Sequence, residues 1–237
     1  MIERIFENDD VMCSSSRGVE AGKINALFQA YGTKYDFCRF YRQGSSVISS
    51  LDGSFVIFDD GTADVEELAD FFRMNGYAEI FCSELLGSEL AEKLSAPCIS
   101  VNLMRFVCSE SFSVELNTSP ALSNVYSIIS EGFDIEFEPW YLDMSHRVRH
   151  GISRCYVLED KAALVIQHDI NGEALISQVA CRKAFRGQGI AAKLVKAASA
   201  LLYPSDVFVL CENDLIPFYE KCGFSVAVKN IVIRSSI

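Results

Sequence analysis

The sequence predicts an α+β fold built twice along one chain, and three observations carry that expectation. Each half shows the same order of elements, three strands followed by helix, strand, helix and strand. In the second half an alternating segment runs directly into a glycine loop that opens a helix, over Glu173 to Leu202. Half of the 237 residues are hydrophobic, enough to give two small domains cores of their own. The domains expected are 1–110 and 111–237.

In the first half, apolar spacing predicts a helix over Val19 to Tyr31. Strands follow at Phe37 to Tyr41, Ser46 to Ser50 and Ser54 to Phe58, with Asp52-Gly53 as the hairpin turn between the last two. A helix from Ala63 to Met74, a strand Ala78 to Cys82, a helix Ser83 to Leu94 and a strand Ile99 to Cys108 complete the set. In the second half a strand is expected near Phe112 to Leu116. Ser119-Pro120 then opens a helix, with Pro120 in its first turn and an apolar stripe of Leu122, Val125, Tyr126 and Ile129 running to Glu131. A second helix is expected from Pro139 to His150. Strands Ser153 to Leu158, Ala162 to His168 and Glu173 to Cys181 come next, then the helix after Gly189, a strand Val207 to Cys211, a helix Leu215 to Cys222 and a strand within Ser225 to Arg234.

Within Glu173 to Cys181, alternation sets Ile176, Gln178 and Ala180 on one face and Leu175, Ser177, Val179 and Cys181 on the other. Gly187 and Gly189 let consecutive N–H groups between Arg186 and Ala191 curl into one concavity at a helix N-terminus, a shape that takes phosphate. A glycine turn of this spacing also serves as a plain strand-to-helix corner. The wording of the loop, Arg186, Gly187, Gln188, Gly189, Ile190, Ala191, resembles the acyl-CoA pyrophosphate loop of the GNAT N-acetyltransferase superfamily. Downstream, Asn213 and then Phe218, Tyr219, Glu220, Lys221, Cys222, Gly223, Phe224 resemble that family's second signature. The resemblance covers roughly Phe112 onward. It implies a mixed, mostly antiparallel sheet flanked by helices, with the first half as a second, degenerate copy. There the matching loop runs through Asp59, Asp60, Gly61, Thr62 and Ala63 toward Asp64, Glu66 and Glu67, whose carboxylates would repel a pyrophosphate. Those acids equally suit a helix N-terminus, where they complement the dipole.

The resemblance further implies that acetyl-CoA is the co-substrate and that an amine is acetylated by direct transfer. Free backbone N–H groups over Gln178, Val179, Ala180 and Cys181, where strands of the family bulge and splay, would hold the pantetheine arm and polarise the thioester carbonyl. Asn213 would contact the pantetheine, and Tyr219 would protonate the departing sulfur. The general base stays open between Glu173 and a water held by Ser177 or Gln178. Cys181 has no partnered histidine and reads as a packing residue rather than a nucleophile. In the family the segment joining the first two helices lines the acceptor side. Here that segment carries Asp134, Glu136, Glu138 and Trp140, which suit a cationic amine and equally suit a solvated loop around a buried tryptophan. A non-catalytic acyl-CoA-binding or sensing module remains the alternative reading.

Thirty-two acidic against twenty-one basic residues give a net charge of −11, which opposes nucleic-acid binding and favours cationic partners. Nine cysteines, without CxxC pairs, support neither a disulfide framework nor zinc. His146 and His150 with Asp143 read as a polar helix face, beside Arg147 and Arg149, and His168 reads as a turn residue. No metal is expected. Without an apolar segment long enough to span a bilayer, the chain is expected in the cytoplasm, with a homo-oligomer left open.

Overall fold

The computed structural model of the chain describes residues 1–6, 17–107 and 114–235. They fall into two compact units, Met1–Asn102 with Val228–Ile237, and Leu103–Ala227. The grouping departs from the expected division at residue 110. The final strand explains why, because its outer residues find their ladder partners in the first unit.

The first unit contains β1 (Glu3–Ile5), α1 (Val19–Tyr31), β2 (Cys38–Gln43), β3 (Ser46–Leu51), β4 (Ser54–Phe58), α2 (Val65–Asn75), β5 (Glu79–Ser83), α3 (Glu84–Leu94) and the start of β6 (Cys98–Phe106). β1 to β4 form an antiparallel meander and β5 lies parallel to β4. Asp52 and Gly53 turn the β3–β4 hairpin with φ of 46° and 84°, the two positive values that an Asp-Gly pair accepts in a type I′ turn. β11 (Phe224–Arg234) adds Asn230 to Arg234 antiparallel to β5. Gly87 on α3 lies so close to this strand that a Cβ there would stand 2.4 Å from that of Ile231. One face buries Leu68, Phe72, Ile80 and Leu90 under α2 and α3, and the other buries Ile24, Phe40 and Val47 under α1.

The second unit adds α4 (Leu122–Ile129), α5 (Phe137–Arg149), β7 (Arg154–Leu158), β8 (Ala162–Ile170), β9 (Glu173–Cys181), α6 (Ile190–Leu201), β10 (Asp206–Cys211) and α7 (Ile216–Lys221). Its strand order is β6-β10-β9-β8-β7, with the β7–β8 and β8–β9 pairs antiparallel and the β9–β10 pair parallel. α6 and α7 cover one face through Leu194, Val195, Ala198 and Tyr219, and α4 and α5 cover the other through Val125, Ile129, Trp140 and Met144. The expected mixed, mostly antiparallel sheet with flanking helices is therefore present.

Several local expectations change. Phe112 lies outside the described residues, while Val114 to Leu116 form no strand, and only Asn117 bridges to Val157. Pro120 precedes α4 instead of entering its first turn, because Asn117 Oδ1 accepts from the Ser119 N–H and holds a separate turn there. His168 is not a turn residue: β8 continues through it, it pairs with Leu175, and it is buried. The helix expected from Leu215 starts one residue later, at Ile216, with Pro217 in its first turn, because Asn213–Leu215 form a short 3₁₀ turn.

Candidate functional site

β9 does not alternate along its whole length. Ala174 and Ile176 face α6, but beyond Gln178 the residues packed on that side are Val179 and Cys181. Ala180 turns to the α4–α5 face. The expected faces are therefore inverted over the last three residues. Gln178 is the cause: its φ is 47°, and the ladder to β8 skips between Ser177↔Val165 and Ala180↔Ala163, so that two residues oppose one. The opposite edge of β9 pairs with β10 only from Glu173↔Asp206 to Ile176↔Val209. From Ser177 onward the two strands part. The backbone N–H groups expected to meet a pantetheine arm, over Gln178 to Cys181, lie along this opening.

The loop after β9 continues the opening into α6. Gly187 and Gly189 have φ of 78° and 75°, and nothing lies within 4 Å of a Cβ built on either. Among the described residues no group accepts the N–H of Gly187, Gln188 or Gly189, nor those of Ile190, Ala191 and Ala192 at the start of α6. Arg186 takes a different part from the one its place in the motif invites. Its Nε donates to Cys181 O at 3.1 Å and its Nη2 to Glu131 O at 2.7 Å, so the guanidinium ties the loop to the end of β9 and to α4. Glu131 is the other half of that tether, with its carboxylate accepting from Lys183 N at 2.7 Å and from Arg182 Nη1 at 3.1 Å. The Lys183 N–H, and then Arg182, hold this carboxyl below its usual range. Nothing in the sequence marks Glu131 for this, since its partners lie about fifty residues away.

Tyr219 stands where β10 ends. It is 6% exposed, packs edge-on against Phe218 and Phe224, and shares its surroundings with Cys211 and Cys222. Burial, and then those two sulfurs, push its phenol above the ordinary tyrosine range. No described residue hydrogen-bonds its hydroxyl, and that oxygen is not among the fully buried unpaired atoms. Burial likewise lifts the Cys211 and Cys222 thiols to about 11, and it raises Cys181, so none of them is a ready thiolate. Asn213 is exposed in the turn between β10 and α7.

Glu173 is not brought to the opening. It is the first residue of β9, and Ser177 is four residues away, roughly 13 Å of extended strand. This removes Glu173 as a base acting directly on an amine, while Ser177 stays at the bulge. Trp140 is buried in the α4–α5 core and donates from Nε1 to Gln178 Oε1 at 2.9 Å, so it meets the site through Gln178. Asp134, Glu136 and Glu138 are exposed around the start of α5, and no described cation pairs with them. Arg147 Nε donates to both oxygens of Asp143, and the His146 and His150 rings lie tilted against each other with centroids 4.1 Å apart. Among the described residues no cluster of three or more metal-ligating side chains forms. A cavity of about 600 Å³, lined by residues such as Pro120, Val148 and Arg154, lies beside β7, two strands from the opening.

In the first unit β4 and β5 also stop pairing early, after Val56↔Phe81, but the bulge and the open row of donors are missing among the described residues. Its β3–β4 ladder has no bulge. Its loop donors are taken internally: Asp59 Oδ1 accepts from Thr62 N at 3.1 Å, Ala63 N at 3.0 Å and Ser46 Oγ at 2.8 Å. Asp64 caps α2 by accepting from Glu67 N, and its own N–H goes to Gln43 Oε1.

Residues 151–226 match the family model of the Acetyltransferase (GNAT) domain. The second unit carries a GNAT domain. The fold extends over the whole chain. A GCN5-related N-acetyltransferase from Kribbella flavida aligns with a TM-score of 0.66 at 12% identity, covering 94% of this chain and 97% of that one. A putative acetyltransferase from Pyrococcus horikoshii gives 0.60 at 12%, covering 100% and 90%. A tandem GNAT protein from the clavulanic acid biosynthesis pathway gives 0.57 at 10%, covering 99% and 98%. At these identities the likeness is one of fold. No protein of curated function matches the sequence.

Proposed function

We propose that the GNAT domain moves an acetyl group from acetyl-CoA directly to a primary amine, and that the first unit is a degenerate copy that binds no CoA. The observation that carries this reading is the row of six unpartnered N–H groups over residues 187–192, which continues the line where β9 and β10 part. Such a row offers a pyrophosphate its donors, and the parted strands offer the pantetheine arm an unpaired edge. The family's usual co-substrate is acetyl-CoA, and no metal is needed for the chemistry.

The amine nitrogen attacks the thioester carbonyl carbon, and backbone N–H groups of the bulge stabilise the oxygen as it gains charge. The C–S bond then breaks, and the Tyr219 hydroxyl gives its proton to the departing sulfur. The ammonium proton leaves to solvent or through a water at Ser177. Asp134, Glu136 and Glu138 give the acceptor side a negative field, which favours an amine that approaches as a cation. Seven free cysteines among the described residues suit a reducing compartment, and a cytoplasmic setting is the corresponding proposal. Release of free CoA from acetyl-CoA, followed with a thiol reagent across a panel of amines, tests the reading. Amine-dependent release supports it; tight CoA binding without turnover on any amine would leave a sensing module instead.

A further inference from the structure

From the fixed side chain of Gln178, and resting on the transferase reading above, we infer that this domain selects acceptors carrying an oxygen on the carbon next to the amine-bearing one, as in amino alcohols. Three independent features meet at this residue. Its backbone is held at φ 47°, a region that glutamine adopts at a cost. It forms the bulge at which β9 leaves β10. Its amide is oriented by the buried Trp140, whose indole N–H is solely a donor and so must face Oε1, at 2.9 Å. The Nε2 group is thereby turned away from the tryptophan, and no described residue accepts from it.

A surface glutamine needs none of these constraints, and a strand core would use an apolar residue here. The side chain reaches toward α5, the side opposite the helices that carry the phosphate loop and Tyr219. One residue therefore addresses two neighbouring atoms. Its backbone lies along the thioester opening that the amine must approach, and its amide offers a directed donor beside that approach. An oxygen on the neighbouring carbon of the acceptor satisfies that donor. A plain alkylamine leaves it to water.

Ethanolamine and propylamine, equal in length, are the matched probes, compared at saturating acetyl-CoA. The wild-type protein should prefer ethanolamine by about two- to tenfold in kcat/KM, the range of one net hydrogen bond, expressed mainly in KM. Gln178→Gly should bring the two amines level. Glycine occupies φ 47° freely but leaves the buried Trp140 indole N–H without its acceptor, so the two effects oppose and the melting temperature should be unchanged or lower by roughly 2–4 °C. A purely structural glutamine would lower the melting temperature and leave the ratio alone, so the ratio decides. Trp140→Phe keeps a ring in the core, frees the amide to rotate, and should also reduce the preference. Wild-type indifference between the two amines, or a preference that survives Gln178→Gly, overturns the inference. If no amine is acetylated although acetyl-CoA binds, the transferase reading falls first and takes this one with it.

Discussion

Replacing Tyr219 by phenylalanine should separate activity from stability. The ring packs between Phe218 and Phe224 at 6% exposure, and the substitution leaves that packing untouched. Only the hydroxyl is lost, and no described residue hydrogen-bonds it. The hydroxyl is not among the fully buried unpaired polar atoms of the described residues, so water can satisfy it, and its removal should shift stability by no more than about 0.5 kcal/mol, roughly 1–2 °C for a chain of this size. If the hydroxyl is the proton donor to sulfur, kcat should nevertheless fall by ~10²–10⁴, about 3–5 kcal/mol of barrier. The pH dependence follows from the raised phenol. Protonation favours the folded state, so this contribution is complete below the unfolded value near 10 and is lost as pH rises above it. The wild type should therefore lose stability above about pH 10 more steeply than Tyr219→Phe, and no alkaline rate limb from Tyr219 should appear below that pH. Thermal melts and steady-state rates on one preparation decide the matter. A Tyr219→Phe protein with wild-type kcat refutes the role, whatever its stability.

Calorimetry should find one CoA per chain, and Asp59→Ala should not create a second site, because Asp60, Asp64, Glu66 and Glu67 would still oppose a pyrophosphate; two equivalent sites in the wild type would contradict this. Gly189→Val meets no steric block, but forces a β-branched residue to φ 75°, so it should cost about 1–2 kcal/mol of stability and weaken CoA binding at least tenfold. Unchanged affinity in the folded variant would remove the loop from the site. Activity on a cationic amine should fall with salt more in kcat/KM than in kcat, and joint neutralisation of Asp134, Glu136 and Glu138 should abolish that dependence. A triple variant that keeps both rate and salt sensitivity would return those acids to the role of solvated helix-start residues.

The glycine loop and the order of elements were legible because they rest on local physics. Gly187 and Gly189 take positive φ, Asp52-Gly53 turns a hairpin, and α6 shows its apolar stripe at Ile190, Leu194, Val195 and Ala198. What depended on distant partners was not legible. Arg186 stands in the phosphate motif, yet its donors are drawn inward by carbonyls of Cys181 and Glu131. Glu173 has the chemistry of a base, but strand length removes it from the opening. The bulge did leave a trace, since Ser177 and Gln178 are two consecutive polar residues inside an otherwise apolar strand. Strict alternation cannot accommodate such a pair on one buried and one exposed face without a break in register.

The two loops after β4 and β9 solve the same backbone problem in opposite ways, and the difference supports the proposed division of labour between the two units. Each must turn from a strand into a helix and leave several N–H groups without intrahelical acceptors. In the first unit the sequence supplies its own anions: Asp59 takes the Thr62 and Ala63 donors, and Asp64 takes that of Glu67. Such a loop is satisfied as it stands, and a phosphate could enter only by displacing carboxylates already hydrogen-bonded. In the second unit the side chains that might fill the concavity are absent. The one charged group of the motif, Arg186, is used to anchor the loop, and the donors over residues 187–192 keep no protein partner. An exposed row of donors can be left to water at little cost, so its openness is not in itself proof of a ligand. The contrast carries more weight: the same order of elements, met twice in one chain, closes this feature with two aspartates that take three donors in one unit and tethers it open from behind in the other.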